Sequence, residues 1–365
     1  MTKIPRDNHF IWIRYFAAIS IMVSHLRMFD TYPESYNFVC ATLTWLFPGV
    51  PTLFFISGFL VSLSLKRSEN YFEYLAKRVL RIYPPMWACL FVTILALFLC
   101  GFLNPFELNW FEFVFWFVGQ LTFFQVYHPS FLNDFGLGVI NGPLWAIPLI
   151  FQFYIILPFL AKYDKRFTLK YGDKWIYMLL ILLAIFNVVF HYFNNFHEST
   201  LTKILFLTLV CWGFNFTLGY YFQRNYNLLK SKNPFSWLLF LVVHIAACFI
   251  LRDGFNLRWG RNDINPLLLV TYAMFILNFA FLPKSKSMIF NSIEKFIAKY
   301  DISFGLYVYH MIVFNFLFEF EIFIDNWSFR VISFFLATII ISILSMLFLE
   351  KPIKDNRDWL ISKLP

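Results

Sequence analysis

Two residues in the first apolar segment have side chains that could take part in chemistry inside a membrane. Arg14 and His25 lie in HFIWIRYFAAISIMVSHLRMF, and a charge at the centre of a membrane helix costs at least about 2.5–3.5 kcal/mol, so such residues are functional candidates. Being eleven residues apart, they share one face of a helix and are separated by about 16 Å along its axis. A cation and a titratable base would thus line one potential tunnel. The structural alternatives are that Arg14 snorkels to the membrane surface or joins two helices, and that His25 is a hydrogen-bonded interface residue.

A cluster of basic residues follows the second apolar segment. In LKRSENYFEYLAKRVLRIYPPMW, Lys77, Arg78 and Arg81 fall within about one helical turn, and Lys66 and Arg67 precede them. The planar guanidinium group of arginine suits a phosphorylated ligand. The alternative is that the cluster only orients the protein, since cytoplasmic loops collect Lys and Arg.

The second apolar segment, LFPGVPTLFFISGFLVSLSL, opens with Pro48, Gly49 and Pro51. Prolines are tolerated in the first turn of a helix, where free backbone N–H groups can stabilise developing negative charge. We expect this helix start to lie near His25. The small pair Ser57–Gly58, in the middle of the segment, predicts a helix contact rather than a nucleophile.

The composition places these residues in an integral membrane protein. Of the 365 residues, 60% are hydrophobic, 23% aromatic and 14% charged, whereas soluble domains carry about 25% charged residues. A soluble globular fold and intrinsic disorder are both excluded. The net charge of +9 does not require nucleic acid as a partner, and none is expected. The five scattered cysteines form no CxxC or Cys/His pattern, so neither a disulfide framework nor a metal site is predicted.

The apolar pattern predicts an all-α polytopic protein with one membrane-embedded domain over 1–365 and no separate soluble domain. An aromatic stretch at 110–127 is predicted to be re-entrant or interfacial, because a crossing there would turn the basic segment 162–174 outward. Both termini are then cytoplasmic, and the mixed segment 284–302 is predicted to be an amphipathic helix on the inner surface. The ten expected spans lie near 9–29, 45–65, 84–103, 143–161, 175–193, 204–222, 235–251, 266–283, 303–324 and 330–350.

Five sequence elements, in order along most of the chain, resemble the membrane-bound acyltransferase-3 family. IRYFAAISIMVSH resembles its Arg-x10-His element, FFISGFLVSLSL its Ser-Gly-Phe element, and KRVLRIYPP its Arg-x-x-Arg-Ile-x-Pro element. PLWAIPLIFQFYIILP resembles its Leu-Trp-Ser…Glu-x-x-Phe-Tyr…Pro element, and ISFGLYVYHMIV its late Leu-Tyr…His element, which ends at His310. One departure concerns Ala146 and Gln152, which stand where the family usually has Ser and Glu. Gln152 could replace the missing carboxylate by hydrogen bonding, Asp30 or Glu34 could take over, or the activity could differ.

The resemblance implies transfer of an acyl group, with acetyl expected, from acyl-coenzyme A to a hydroxyl of a cell-envelope glycan such as a lipopolysaccharide or exopolysaccharide unit. The nucleotide would bind Lys77, Arg78 and Arg81, and the pantetheine arm would pass Arg14. His25 would act as general base or, in a variant, carry the acyl group. The expected location is a bacterial inner membrane, with lipids and the glycan as partners and no metal. Further candidates for substrate binding are Trp145, Gln152, Asp30, His310, Arg258 and Arg261.

Three other functions fit parts of the sequence. A transporter or flippase of a glycan or lipid-linked precursor would also have many spans, an embedded arginine and prolines in helices. A glycan polymerase would be equally aromatic, but it has little use for a basic loop aligned with an Arg–His pair. A non-catalytic assembly role would account for Ala146 and Gln152.

Overall fold

Each of the ten apolar segments contains a helix. The computed structural model describes residues 8–196, 200–226, 235–251, 264–283 and 285–363, and within these ranges it has helices and no strand. The α-helices are α1 (Phe10–Leu26), α2 (Glu34–Leu46), α3 (Gly49–Lys66), α4 (Tyr71–Leu99), α5 (Trp110–Leu121), α6 (Ala146–Tyr171), α7 (Lys174–Phe196), α8 (Thr200–Phe206), α9 (Leu209–Arg224), α10 (Ser236–Phe249), α11 (Pro266–Ala280), α12 (Met288–Lys299), α13 (Ser303–Glu319), α14 (Trp327–Ser345), α15 (Lys351–Asp355) and α16 (Arg357–Ser362).

Fewer than ten of the helices are individually long and apolar enough to cross a membrane, counted over the described residues. In the described part of the chain, six helical stretches are long and apolar enough to cross, or seven if α12 and α13, bent by 64° at a short break, count as one. Three shorter apolar helices, α1, α10 and α11, have 17, 14 and 15 residues. Ten crossings therefore remain a prediction. α5 has only 12 residues, about 18 Å, which is too short to cross a hydrocarbon core of about 30 Å.

The chain divides into two compact units, each built from three separate segments. The first unit comprises 1–20, 41–71 and 149–295, and the second comprises 21–40, 72–148 and 296–365. α1 contributes to both, because the division falls after Ser20.

In the first unit, α3 and α9 pack with their backbones in close contact. A Cβ atom on Gly58 would lie 2.0 Å from the Phe216 carbonyl oxygen, and one on Gly219 would lie 2.1 Å from that of Phe55. Glycine is what permits this approach, as in other membrane helix pairs. The predicted helix contact at Ser57–Gly58 is confirmed at Gly58.

In the second unit, α13 packs against α14, and α5 anchors the segment that follows it. Gly305 of α13 lies against Ser342 of α14. Glu112 of α5 accepts hydrogen bonds from the backbone N–H of Ser130 at 2.6 Å and from its hydroxyl at 2.8 Å. These bonds hold the pKa of the Glu112 carboxyl below its usual value. The 122–141 segment also reaches α13, where the Asn315 amide donates to the carbonyl of Ile140 at 3.0 Å.

α12 is a helix, as the sequence predicted, and none of its residues is buried. Met288 is 84% exposed and Ile289 is 74% exposed. Exposed apolar side chains beside lysines fit the expected helix on a membrane surface.

Candidate active site

His25 forms a pair with His310 in the second unit. Nδ1 of His25 lies 3.1 Å from Nε2 of His310, and the ring centroids are 5.1 Å apart. Nδ1 of His310 lies 3.0 Å from the Leu306 carbonyl oxygen, one turn earlier in α13. His310 is completely buried, whereas His25 is partly exposed. Only the His25 ring of the pair is therefore accessible from outside the protein.

His25 lies near the end of its own helix, but the residue it pairs with, His310, lies near the middle of α13. His310 is the eighth residue of a 17-residue helix, so it lies about 10 Å from the start of α13. α1 ends at Leu26, and the chain continues beside α13, where Phe29 stacks on Phe314 with ring centroids 3.9 Å apart. His25 is thus near the end of its own helix but opposite the middle of its partner helix.

Arg330 holds the segment that follows His25, and the sequence analysis missed this residue. Its guanidinium donates to the Asp30 carboxylate at 3.1 Å, the Thr31 hydroxyl at 2.9 Å and the Leu317 carbonyl at 3.2 Å. It also lies 4.4 Å from the centre of the Phe29 ring. Arg330 is completely buried in the first turn of α14. The signal available in the sequence was a lone cation at the start of the apolar segment 330–350.

We expect Arg330→Lys to destabilise the protein by about 1.5–3 kcal/mol, the range for hydrogen bonds to a charged group, because one ammonium cannot replace the three-way guanidinium contact. Thermal unfolding in detergent micelles measures this as a lower Tm. The control is Asp30→Asn, which keeps an acceptor oxygen on a side chain already 53% exposed, so its Tm should fall less. An unchanged Tm for Arg330→Lys would show that the guanidinium contacts of Arg330 do not stabilise the protein.

Arg14 and His25 lie on one unbroken helix, α1. Their spacing of eleven residues along this helix puts them on the same face, as predicted. Arg14 is partly buried. The start of α1 is fastened to α12, where Glu294 bonds Nδ1 of His9 at 2.5 Å and accepts from the Trp12 indole at 3.2 Å. These bonds hold the start of α1 against α12.

The three predicted cofactor-binding cations lie in the first three turns of α4. Positions 77, 78 and 81 occupy an arc of about 100° on the helix. Lys77 pairs with Glu73, one turn earlier, whereas Arg81 is exposed. The exposed guanidinium of Arg81 could bind phosphate groups. Lys77 could add a second positive charge, part of which its pairing with Glu73 neutralises.

The remaining predicted substrate residues have diverse surroundings. Trp145 is partly buried at the end of the 3₁₀ turn Gly142–Trp145, and its role in binding remains a prediction. The Gln152 amide is occupied at both ends, donating to the Leu207 carbonyl at 2.9 Å and accepting from the Leu209 N–H at 3.0 Å. These bonds hold the break between α8 and α9. The predicted acceptor residues Arg258 and Arg261 lie outside the described residues.

Comparison with known proteins identifies the family of the chain. A family model described as an acyltransferase domain, the acyltransferase-3 family, matches residues 8–348. Nodulation protein 10 of Rhizobium leguminosarum bv. viciae is 25% identical over 382 residues, covering 98% of this chain and 95% of that protein. An O-acetyl transferase of Shigella phage Sf6 is 31% identical over 183 residues, covering 49% of this chain and 52% of that protein. No solved structure matches the chain.

The family match extends from the start of α1 into the helical turn after α14, so it includes His25, His310, Arg330 and the basic face of α4. It favours an enzyme over a transporter, a glycan polymerase or an assembly factor. This integral membrane protein belongs to the acyltransferase-3 family and is an acyltransferase.

Proposed function

We propose that the protein transfers an acetyl group from cytoplasmic acyl-coenzyme A to a hydroxyl of a cell-envelope glycan, such as a lipopolysaccharide or exopolysaccharide unit. The observation that carries the proposal is the pair of histidines. The His25 ring is partly exposed, and its Nδ1 is in hydrogen-bond contact with Nε2 of the buried His310 ring. A general base needs one free nitrogen facing the substrate and a fixed orientation. The O-acetyl transferase of the Shigella phage supports acetyl as the group and a hydroxyl as the acceptor.

In the proposed reaction, His25 takes the proton of the acceptor hydroxyl as its oxygen attacks the thioester carbon. A new C–O ester bond forms, the C–S bond breaks, and the proton returns to the leaving sulfur to give coenzyme A thiol. A neutral imidazole has one bare nitrogen, which can accept this proton and later return it. No metal is part of this proposal.

The basic face of α4 is the proposed site for the nucleotide of the donor. Lys77, Arg78 and Arg81 would contact its phosphates, and the pantetheine arm would run along α1 past Arg14 to His25. Arg14 and His25 are about 16 Å apart along the axis of α1, a distance comparable with the length of an extended pantetheine arm. We also propose that both termini are cytoplasmic and that the acceptor reaches His25 from the outer side of a bacterial inner membrane.

We expect Arg81→Glu to raise KM for acetyl-coenzyme A by about tenfold or more, since losing one charge-assisted phosphate contact costs about 1.4 kcal/mol or more. The kcat should change little. Steady-state thiol release at several donor and salt concentrations measures both, and the salt dependence of KM should weaken in the variant.

The matched control is Lys363→Glu, which makes the same change of charge at an exposed residue after α16. An equal rise in KM for both variants would mean that Arg81 acts only through the general surface potential.

The function itself is tested with the purified protein in lipid nanodiscs, given acetyl-coenzyme A and an extract of lipid-linked glycans. Coenzyme A thiol should appear only when both substrates are present, and mass spectrometry should find glycans heavier by one acetyl unit. A glycan heavier by another acyl unit would correct the donor. Absence of thiol release with every acyl donor and acceptor tested would overturn the proposal.

A further inference from the structure

The hydrogen-bond partners of His310 fix which of its nitrogens carries a proton. Nδ1 lies 3.0 Å from the carbonyl oxygen of Leu306, and a carbonyl only accepts, so Nδ1 must carry hydrogen. A neutral imidazole has a single N–H, which leaves Nε2 bare. Within the described part of the chain, no carboxylate lies within 4.0 Å of His310 to favour a charged ring. The rings around it belong to His25, Tyr307 and Phe334.

The bare nitrogen of His310 in turn selects the form of His25. Nε2 of His310 is 3.1 Å from Nδ1 of His25, so the contact is a hydrogen bond only if His25 carries its proton on Nδ1. The Ile21 carbonyl, one turn earlier in α1, also lies close to the His25 ring. With the proton of His25 on Nδ1, its Nε2 has a free lone pair. That is the nitrogen on the side of the ring away from His310.

We propose that His310 is a positioning residue that holds His25 in the Nδ1–H form, with Nε2 aimed at the acceptor hydroxyl. This inference rests on the proposed function, in which His25 is the base. In such pairs a partner on Nδ1 sets the tautomer and stabilises the imidazolium that forms when Nε2 takes a proton. The acceptor proton goes to Nε2 of His25, Nδ1–H stays bonded to His310, and His310 itself gains no proton.

The proposal does not require the carboxylate that the family usually has at position 152. Gln152 stands where a carboxylate was expected, and its amide is occupied by Leu207 and Leu209. His310 is a neutral acceptor already bonded to His25, so the tautomer does not depend on a carboxylate at position 152.

Three substitutions at His310 separate this role from simple packing. His310→Phe keeps a ring but has no acceptor, so kcat should fall by about 10²–10⁴-fold, the range for losing general-base catalysis, while KM for acetyl-coenzyme A stays unchanged. His310→Gln places a carbonyl oxygen near the position of Nε2 and should restore much of the loss. His310→Asn reaches only the position of Nδ1 and should not. Equal kcat values for the Gln and Asn variants would overturn the proposal.

A direct measurement does not depend on turnover. With ¹⁵N-labelled histidine in the wild-type protein, NMR should report a protonated Nδ1 and a bare Nε2 for His25, whose signals are identified by their loss in His25→Asn. The opposite tautomer in the wild type would overturn the inference even if the enzyme is active. Conversely, full activity of a His25 variant would overturn the proposed base and leave the tautomer measurement standing.

Discussion

Replacing His25 with alanine is expected to lower kcat by about 10²–10⁴-fold, the range for removing a general base. The partly exposed imidazole is the proposed proton acceptor, and alanine offers no nitrogen in its place. KM for acetyl-coenzyme A should change little, because the proposed contacts with the nucleotide phosphates lie on α4 and not on His25. Release of coenzyme A thiol by purified protein in nanodiscs measures both constants.

A second variant, His25→Asn, distinguishes loss of the base from loss of folding. His25→Asn places an amide N–H near the position of Nδ1, so it can still donate to Nε2 of His310, but it has no basic nitrogen. We expect its Tm to match that of the wild type and its kcat to be as low as that of His25→Ala. Wild-type turnover in either variant would exclude His25 from the chemistry.

Gly219→Ala is expected to disrupt the packing of α3 on α9. The added methyl group would lie 2.1 Å from the Phe55 carbonyl oxygen and 2.9 Å from the Phe59 nitrogen. Both are backbone atoms in a helix, so they cannot move aside as a side chain could. Overpacking of this kind costs about 1–3 kcal/mol or more. A lower Tm and a smaller yield of monodisperse protein should result.

The matched control lies six residues earlier on the same helix. Gly213→Ala meets only the Leu183 side chain, whose nearest methyl is 3.1 Å away and can rotate. The same substitution should therefore be close to neutral there, helped by the better helix propensity of alanine. Similar Tm values for both variants would mean that the close contact between α3 and α9 is not what stabilises the pair.

The helices and the family could be predicted from the sequence because both depend on local information. Apolar runs of about 20 residues form helices in lipid, where each backbone polar group must be bonded within its own segment. The spacing of Arg14 and His25 likewise fixes their relation along one helix. α2 was not predicted as a separate helix, because its sequence, ESYNFVCATLTWL, mixes polar and apolar residues.

The amino-acid sequence by itself determined that this is a helical membrane protein with an arginine and a histidine on one face of its first apolar helix, since these properties follow from residue type and from the periodicity of a helix. Only the tertiary structure decided that the neighbour of His25 is His310, 285 residues away, and that Arg330 fastens the segment after it. Contacts between distant segments depend on which helix faces pack together. The hydropathy that predicts membrane-spanning helices does not specify that choice.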